Sequence, residues 1–352
     1  MERLDIRSFT KKELEQSFLD NGIEKYRAEQ VWKWLYRHAD SFEEMKNLPL
    51  TLREKLNELY FISVPRHVDK LCSRLDSTRK YLFTLESGDY IESVLLEYAH
   101  GFSVCLSSQA GCKMGCTFCA SSKAGFSRNL TSAEILLQME YITRDMQIDH
   151  PDFRIGHLVL MGIGEPLDNY ENVLHFLRLV NEKDGFGIGF RNVSLSTCGL
   201  VPMIDRLAEE EIPLTLSVSL HAPTDEIRSR TMPINNKYPI AELVAACRRY
   251  IKKTGRRISF EYALIRGVND SPEHARILGN RLKGMLCHVN LINVNETKEN
   301  NCKKTSKEAL KLFTNELNRC KINVTVRRTM GADIEAACGQ LRRKKILEQE
   351  SQ

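Results

Sequence analysis

Cys112, Cys116 and Cys119 fall within the eight residues "CKMGCTFC", and three thiols at that spacing narrow the chemistry. A structural zinc ion asks for four ligands, usually as two close pairs far apart, and a dithiol redox pair asks for two. Three thiolates suit a [4Fe–4S] cluster with one iron left open, whereas clusters that only carry electrons are normally fully ligated by protein. The chain holds eleven cysteines in 352 residues, too few and odd in number for a disulfide scaffold. Cys72, Cys198, Cys247, Cys287, Cys302 and Cys320 are scattered and read as small buried hydrophobes. A carboxylate also stands out. Strand alternation in "YIESVLLEY" puts Glu92 on one face with Tyr90, Val94, Leu96 and Tyr98, in largely apolar company.

Elements must hold these groups in place. From residue 103 the strand-like runs "SVCLSS", "HLVLMG", "NVSLST", "LTLSVSLH", "ISFEYALI" and "HVNLINVN" alternate with amphipathic helical patterns. Repeated β-then-α units imply a parallel sheet, open or closed as a partial barrel, and six strands are too few for a full eight-stranded barrel. A further helix, "TSKEALKLFTNELNRC", leads to a last strand "INVTVRR" and a tail. In such folds chemistry collects at the carboxyl ends of the strands. There stand the cysteine loop, "GIGEPLDN", "STCG", "SLHAP", "RGVND" and "NVNETK". Each alone is ordinary turn chemistry; six in register make a site.

The first 65 or so residues read as helical. Capping-box patterns at Thr10–Glu13 and Ser41–Glu44 mark helix starts. Val31, Trp32, Leu35 and Tyr36 form an apolar stripe, either a packing face for the rest of the chain or a partner surface. "KYLFTLESGDYIESVLLEY" reads as strand, turn and strand. Thr131 with Glu134 caps another helix. The chain carries 42% hydrophobic residues and a net charge of +5, enough for a large core and compatible with an anionic partner. No apolar leader segment opens it, and no stretch nears the roughly 18 apolar residues of a membrane span. A cytoplasmic protein without a membrane partner is expected.

The C-x-x-x-C-x-x-C spacing, with Phe118 before the last cysteine, resembles the radical S-adenosylmethionine superfamily. "YRAEQVWKWLY", "SSQAGCKMGCTFCA", "GIGEPLDN", "SLHAP", "MPIN", "EYALIRGVNDS" and above all "RRTMGADIEAACGQLR" resemble the RlmN/Cfr family of RNA adenine methyltransferases, from about residue 8 to residue 345. "CASS" and Asn293 in "LINVN" depart from the commoner family forms, away from the residues given roles below.

The resemblance implies an α/β fold, a partial (β/α)6 barrel of the radical S-adenosylmethionine type over residues 101–325. A helical RNA-contacting accessory domain would occupy residues 1–68, a β-hairpin extension 69–100 and a catalytic cysteine-bearing tail 326–352. Cys112, Cys116 and Cys119 would hold the [4Fe–4S] cluster. Gly164, Glu165, Ser196, Ser219, Leu220, His221 and Asn295 would surround S-adenosylmethionine, two molecules of which are consumed per turnover.

The implied catalytic residues are Cys338, which accepts a methyl group, Cys105, which resolves the covalent RNA adduct through a disulfide with Cys338, and Glu92, which manages the carbon-2 proton of adenine. Pro166 in "GEPL" and the "RRTMG" stretch favour carbon-2 over the carbon-8 methylation of the resistance branch. The implied substrate is 23S ribosomal RNA, free or precursor, with transfer RNA a second substrate in some members. A flavodoxin or ferredoxin would supply electrons, and a monomer is expected. Arg228, Arg230, Arg327, Arg328 and "RRKK" at 342–345 offer phosphate contacts. Two rival readings remain: a non-catalytic RNA-binding protein with a zinc-stabilised loop, and a radical activase or other group-transfer enzyme in which Cys338 has no role.

Overall fold

Thr10 opens the chain's first helix through a full capping box: its hydroxyl accepts from the Glu13 amide while Glu13 reaches back to the Thr10 amide. A computed structural model describes residues 3–123, 125–294, 303–334 and 336. Helices α1 (Lys11–Asp20), α2 (Lys25–Leu35) and α3 (Leu50–Leu59) are tied off by a short parallel pair, β1 (Leu4–Asp5) with β2 (Tyr60–Phe61). The Ser41–Glu44 pattern yields only a three-residue 3-10 turn, Phe42–Glu44, with no side-chain cap from Ser41. Glu44 instead accepts from the Asp40 amide, so the carboxylate meant for a cap is used one residue too early.

Val31, Trp32 and Leu35 are buried in the helical unit's own core, beside Phe18, Phe42 and Tyr60. The same helix docks on the larger body: Trp32 Nε1 donates to the Asp184 carbonyl at 3.3 Å, and Tyr36 stands edge-on to Phe186. A buried Arg7–Glu140 ion pair adds a second anchor. The apolar stripe is a packing face.

One ten-stranded sheet follows. An antiparallel ribbon, β3 (His67–Cys72), β4 (Arg79–Thr84) and β5 (Tyr90–Tyr98), leads into β6 (Gly101–Cys105). The expected hairpin therefore has a third strand. β3 is mostly exposed, so its sequence carries no alternation to betray it.

β7 (Gln109–Gly111) pairs antiparallel with β8 (Phe126–Asn129), and the short helix α4 (Ala120–Lys123) lies between them. Five β/α repeats come next, carrying the chain from α5 (Ser132–Gln147) into β9 (Ile155–Leu160), α6 (Tyr170–Asn181), β10 (Val193–Thr197), α7 (Val201–Glu209) and β11 (Thr215–Ser219). After α8 (Asp225–Thr231) and α9 (Ile240–Thr254) come β12 (Ile258–Leu264), α10 (Pro272–Leu282), β13 (Cys287–Asn293), α11 (Lys307–Arg319) and β14 (Asn323–Val326).

β6, β9, β10, β11, β12, β13 and β14 run parallel in that order. The six expected barrel strands are all present, and "INVTVRR" joins them as a seventh. Helix packing on the outer face buries one large core, from Leu136 and Phe176 to Tyr250, Tyr262 and Phe313. The inner face is different. Ser194 and Ser196, Ser217 and Ser219, Ser259 and Glu261, and His288 and Asn290 alternate with core residues along four successive strands. That period of two lines the lumen with polar groups.

Candidate active site

The β7–β8 ladder closes the base of the cysteine loop, and the Cys112 amide completes it by donating to the Gly125 carbonyl at 3.1 Å. The loop then leans across the strand ends: the Thr117 amide donates to the Thr231 carbonyl at 3.0 Å, and Phe118 packs edge-on against His221 with ring centres 4.9 Å apart. Cys112 and Cys116 are buried and Cys119 half-buried. Burial pushes the Cys112 thiol up to about 11, and Cys116 higher still, so iron would displace protons from these sulfurs.

All three cysteines line one cavity of about 370 Å³, with Gly164, Glu165, Ser196, Ser219 and His221 on its other walls. Gly164 has φ +111°, and a β-carbon there would come within 2.7 Å of Gln109 Cβ and 2.8 Å of the Gln109 amide nitrogen. Only glycine permits that approach. Glu165 is fully buried, and its carboxylate accepts from the Cys198 amide at 2.7 Å and the Leu167 amide at 3.1 Å. Burial raises its pKa against these bonds. His221 sits at φ 54° with Nδ1 accepting from the Ala263 amide at 2.8 Å, and burial drives its pKa down to about 3. Its imidazole is therefore neutral, with Nε2–H as its donor.

Leu220 is not part of the cavity wall. Its side chain is fully buried in the main core, and only its backbone reaches the strand-end region, its carbonyl accepting from Arg228. Asn295 and Cys338 lie outside the described residues.

Cys105 lines the cavity from the ribbon side. In the sheet register Lys80, Val94, Cys105 and Val159 form one row across four strands. Glu92 is one pair farther along the same face, nearer the cysteine loop, but it is not on the cavity wall. Its carboxylate meets the Lys80 ammonium at 3.0 Å, with both side chains buried. The expected apolar setting of Glu92 thus contains a full positive charge. The sequence carries the signal: Lys80 interrupts an apolar strand at the position that hairpin pairing brings diagonal to Glu92.

Sequence reasoning also missed Met161, Glu261, Met330 and Ala336, which line the same cavity. Cys198, read as an inert core residue, packs beside Cys116 and Met232. Arg228 is corrected outright. It is fully buried and binds the carbonyls of Cys198, Ser219 and Leu220 and the Asn235 side chain, so it ties strand ends together and cannot meet a phosphate. Arg230 is exposed but paired with Glu226 at 2.6 Å. Arg327 borders the cavity, Arg328 is exposed, and "RRKK" lies outside the described residues.

The donor set fits a cubane. Three thiols face one cavity, the ligand number that leaves one iron of a cubane open. The neutral His221, the buried Glu165 acceptor and the open backbone at Gly164 suit a zwitterionic ligand beside it. Among the described residues no helix is long and apolar enough to cross a membrane.

The chain matches the description "Radical SAM superfamily" over residues 106–278 and "Ribosomal RNA large subunit methyltransferase N-terminal domain" over residues 4–62. A protein of Alkaliphilus oremlandii named "Probable dual-specificity RNA methyltransferase RlmN" is 50% identical over 346 residues, 98% of this chain and 99% of its own. A protein of the same name from Clostridium perfringens (strain 13) is 51% identical and covers 97% of each chain. The crystal structure of a radical SAM methyltransferase from Sphaerobacter thermophilus superposes with a TM-score of 0.90 at 42% identity, over 96% of this chain and 98% of that one. The cofactors of such a chain are a [4Fe–4S] cluster and S-adenosylmethionine. Identity of about one half, sustained over nearly the whole length, places this chain in the RlmN family of radical S-adenosylmethionine RNA methyltransferases.

Proposed function

We propose that this enzyme methylates carbon-2 of a specific adenine in 23S ribosomal RNA, and adenine in transfer RNA as a second substrate, through a methyl group first carried on Cys338. The supporting observation is one convergence: Cys105, the cysteine loop, the "GIGEP" turn, the strand-end serines and the C-terminal residues Met330 and Ala336 border a single cavity. Bound at Cys112, Cys116 and Cys119, a [4Fe–4S] cluster with S-adenosylmethionine would supply one-electron, hydrogen-abstracting chemistry there, and S-adenosylmethionine would also be the source of the methyl group.

Carbon-2 of adenine is electron-poor and the sulfonium methyl is electrophilic, so direct polar transfer fails. Cys338 solves this by taking the methyl as a thioether. Loss of a hydrogen atom from that methyl would let its carbon add to carbon-2, and the adduct would return to a closed shell by giving one electron back to the cluster as the carbon-2 proton leaves. Glu92 manages the carbon-2 proton, with Lys80 holding the carboxylate in place. The Cys105 thiolate then attacks the Cys338 sulfur and breaks its bond to the methylene carbon, which takes up a proton as the methylated RNA leaves; an external two-electron reductant reopens the resulting disulfide. Cys112, Cys116 and Cys119 hold the cluster, while Glu165, Ser196, Ser219, His221 and the backbone at Gly164 and Leu220 orient S-adenosylmethionine together with Asn295. The helical unit at residues 1–68 contacts RNA, a flavodoxin or ferredoxin delivers electrons, and the enzyme works as a cytoplasmic monomer on free or precursor rRNA.

Pro166 after Glu165 and "RRTMG" before the tail favour carbon-2 over carbon-8. Nucleoside mass spectrometry of rRNA and tRNA from a deletion strain, before and after complementation, tests this. 2-Methyladenosine should disappear and return; 8-methyladenosine in its place would move the enzyme to the resistance branch.

A further inference from the structure

The turn between β3 and β4 and the start of the C-terminal tail are more than 250 residues apart, yet hydrogen bonds join them in both directions. The Asp333 carboxylate accepts from the Ser73 hydroxyl and from the Arg74 amide, each at 2.7 Å. The Asp76 carboxylate returns the contact by accepting from the Gly331 amide at 2.9 Å, and it also holds its own turn through the Thr78 amide at 3.0 Å. Bonds from Ser73 and Arg74 keep the Asp333 carboxyl below its usual range, as expected for an acceptor held in its charged form.

Gly331 makes the approach possible. Its φ is +59°, and a β-carbon would stand 2.8 Å from Thr78 Cγ2 and 2.6 Å from Ala336 Cβ. The chain then turns back on itself, the Ala336 amide donating to the Gly331 carbonyl at 3.0 Å. Met330 and Ala336 consequently pack against Val94, Leu96 and Cys105 on the cavity wall.

We propose that Asp333 and Asp76 are positioning residues: their clasp on the β3–β4 turn anchors the tail at Ala336 so that Cys338 is delivered to the Cys105 side of the cavity. Covalent geometry supplies the reach. Two residues span at most about 7 Å, so Cys338 cannot stray far from a residue already packed on Cys105, and a disulfide needs α-carbons within roughly 7 Å. The ribbon strand β3, otherwise an exposed addition to the barrel, acquires a purpose. The proposal rests on Cys338 being the methyl acceptor.

The test uses the full-length, cluster-loaded enzyme and its Asp333→Ala and Asp76→Asn variants, each with Cys338 confirmed as a free, unmethylated thiol by intact-mass measurement. Mild oxidation with diamide should form the Cys105–Cys338 disulfide, followed by peptide mass spectrometry, about tenfold more slowly in each variant, the scale expected for losing charge-assisted hydrogen bonds. Methyl loading of Cys338 should slow similarly, while reductive cleavage of S-adenosylmethionine without RNA stays at the wild-type rate. Wild-type oxidation rates in both variants would overturn the clasp, and so would loss of cleavage in parallel with oxidation, which marks a general folding defect. A wild-type Cys338 that never carries a methyl would instead remove the reading beneath the proposal, and the oxidation rates would still decide the clasp.

Discussion

The Lys80 ammonium and the Glu92 carboxylate stand 3.0 Å apart on neighbouring strands of the ribbon, with 0% and 3% of their residue surfaces exposed. Two charges so deeply buried stabilise the fold only as a pair, since either one alone keeps the full cost of leaving water. Lys80→Met should therefore lower the unfolding free energy by roughly 3 to 5 kcal/mol, read from urea titrations. The double variant Lys80→Met/Glu92→Leu should recover most of that loss and remain inactive. A double variant that methylates RNA would relieve Glu92 of any chemical role.

Glu92→Gln keeps the shape and loses the exchangeable proton. It leaves the buried Lys80 ammonium without the Glu92 counter-charge, so it should lose stability on the scale of Lys80→Met, yet still fold, retain its iron and bind RNA while forming no methylated product. Turnover near the wild-type rate would make Glu92 a purely structural partner of Lys80.

Anaerobically purified enzyme should be brown and carry about four irons and four sulfides per chain. Cys112→Ala, Cys116→Ala and Cys119→Ala should each lose the colour and the activity. Stoichiometric zinc without iron would restore the zinc-loop alternative.

Gly164→Ala should retain the cluster but weaken S-adenosylmethionine binding at least tenfold by calorimetry. The new methyl group would have to displace Gln109 backbone at 2.8 Å, and the required φ of +111° is closed to alanine. Binding at wild-type strength would show that the turn relaxes freely.

His221 has a pH signature. Its pKa falls from 6.5 in an unfolded chain to about 3 when buried. Below pH 6.5 the unfolded chain takes up a proton that the folded chain refuses, so folding stability is lost as pH falls. Between pH 6 and 5 the iron-free wild type should lose roughly 1 kcal/mol relative to His221→Gln, measured by urea unfolding. Parallel pH profiles for the two proteins would place a protonated imidazole in the site.

Much of this was legible from residue types and spacing. The three loop cysteines, the six barrel strands and the capping boxes at Thr10 and Thr131 are local patterns, set by ligand number, by a period of two and by a side chain reaching its own third neighbour. Strand-end loops could be recognised as a group because parallel β/α repeats place them at one end. Ser41–Glu44 shows the boundary of such reasoning, since the pattern is present and the long helix is not.

What the tertiary structure decided are relations that no local pattern encodes. It put Arg228, a surface charge by its sequence setting two residues from an exposed Arg230, at the centre of five hydrogen bonds, three of them buried. Lys80 meets Glu92 only because two strands pair in one particular register. Asp333 meets Ser73 only because the tail returns across 260 residues to the first hairpin. The sequence alone determined which groups are chemically capable and which local elements carry them, because those depend on neighbours a few residues away. Which charges are paired, which side chains are buried and which distant segments touch depend on how the whole sheet closes, and that is settled by packing free energy summed over the entire chain.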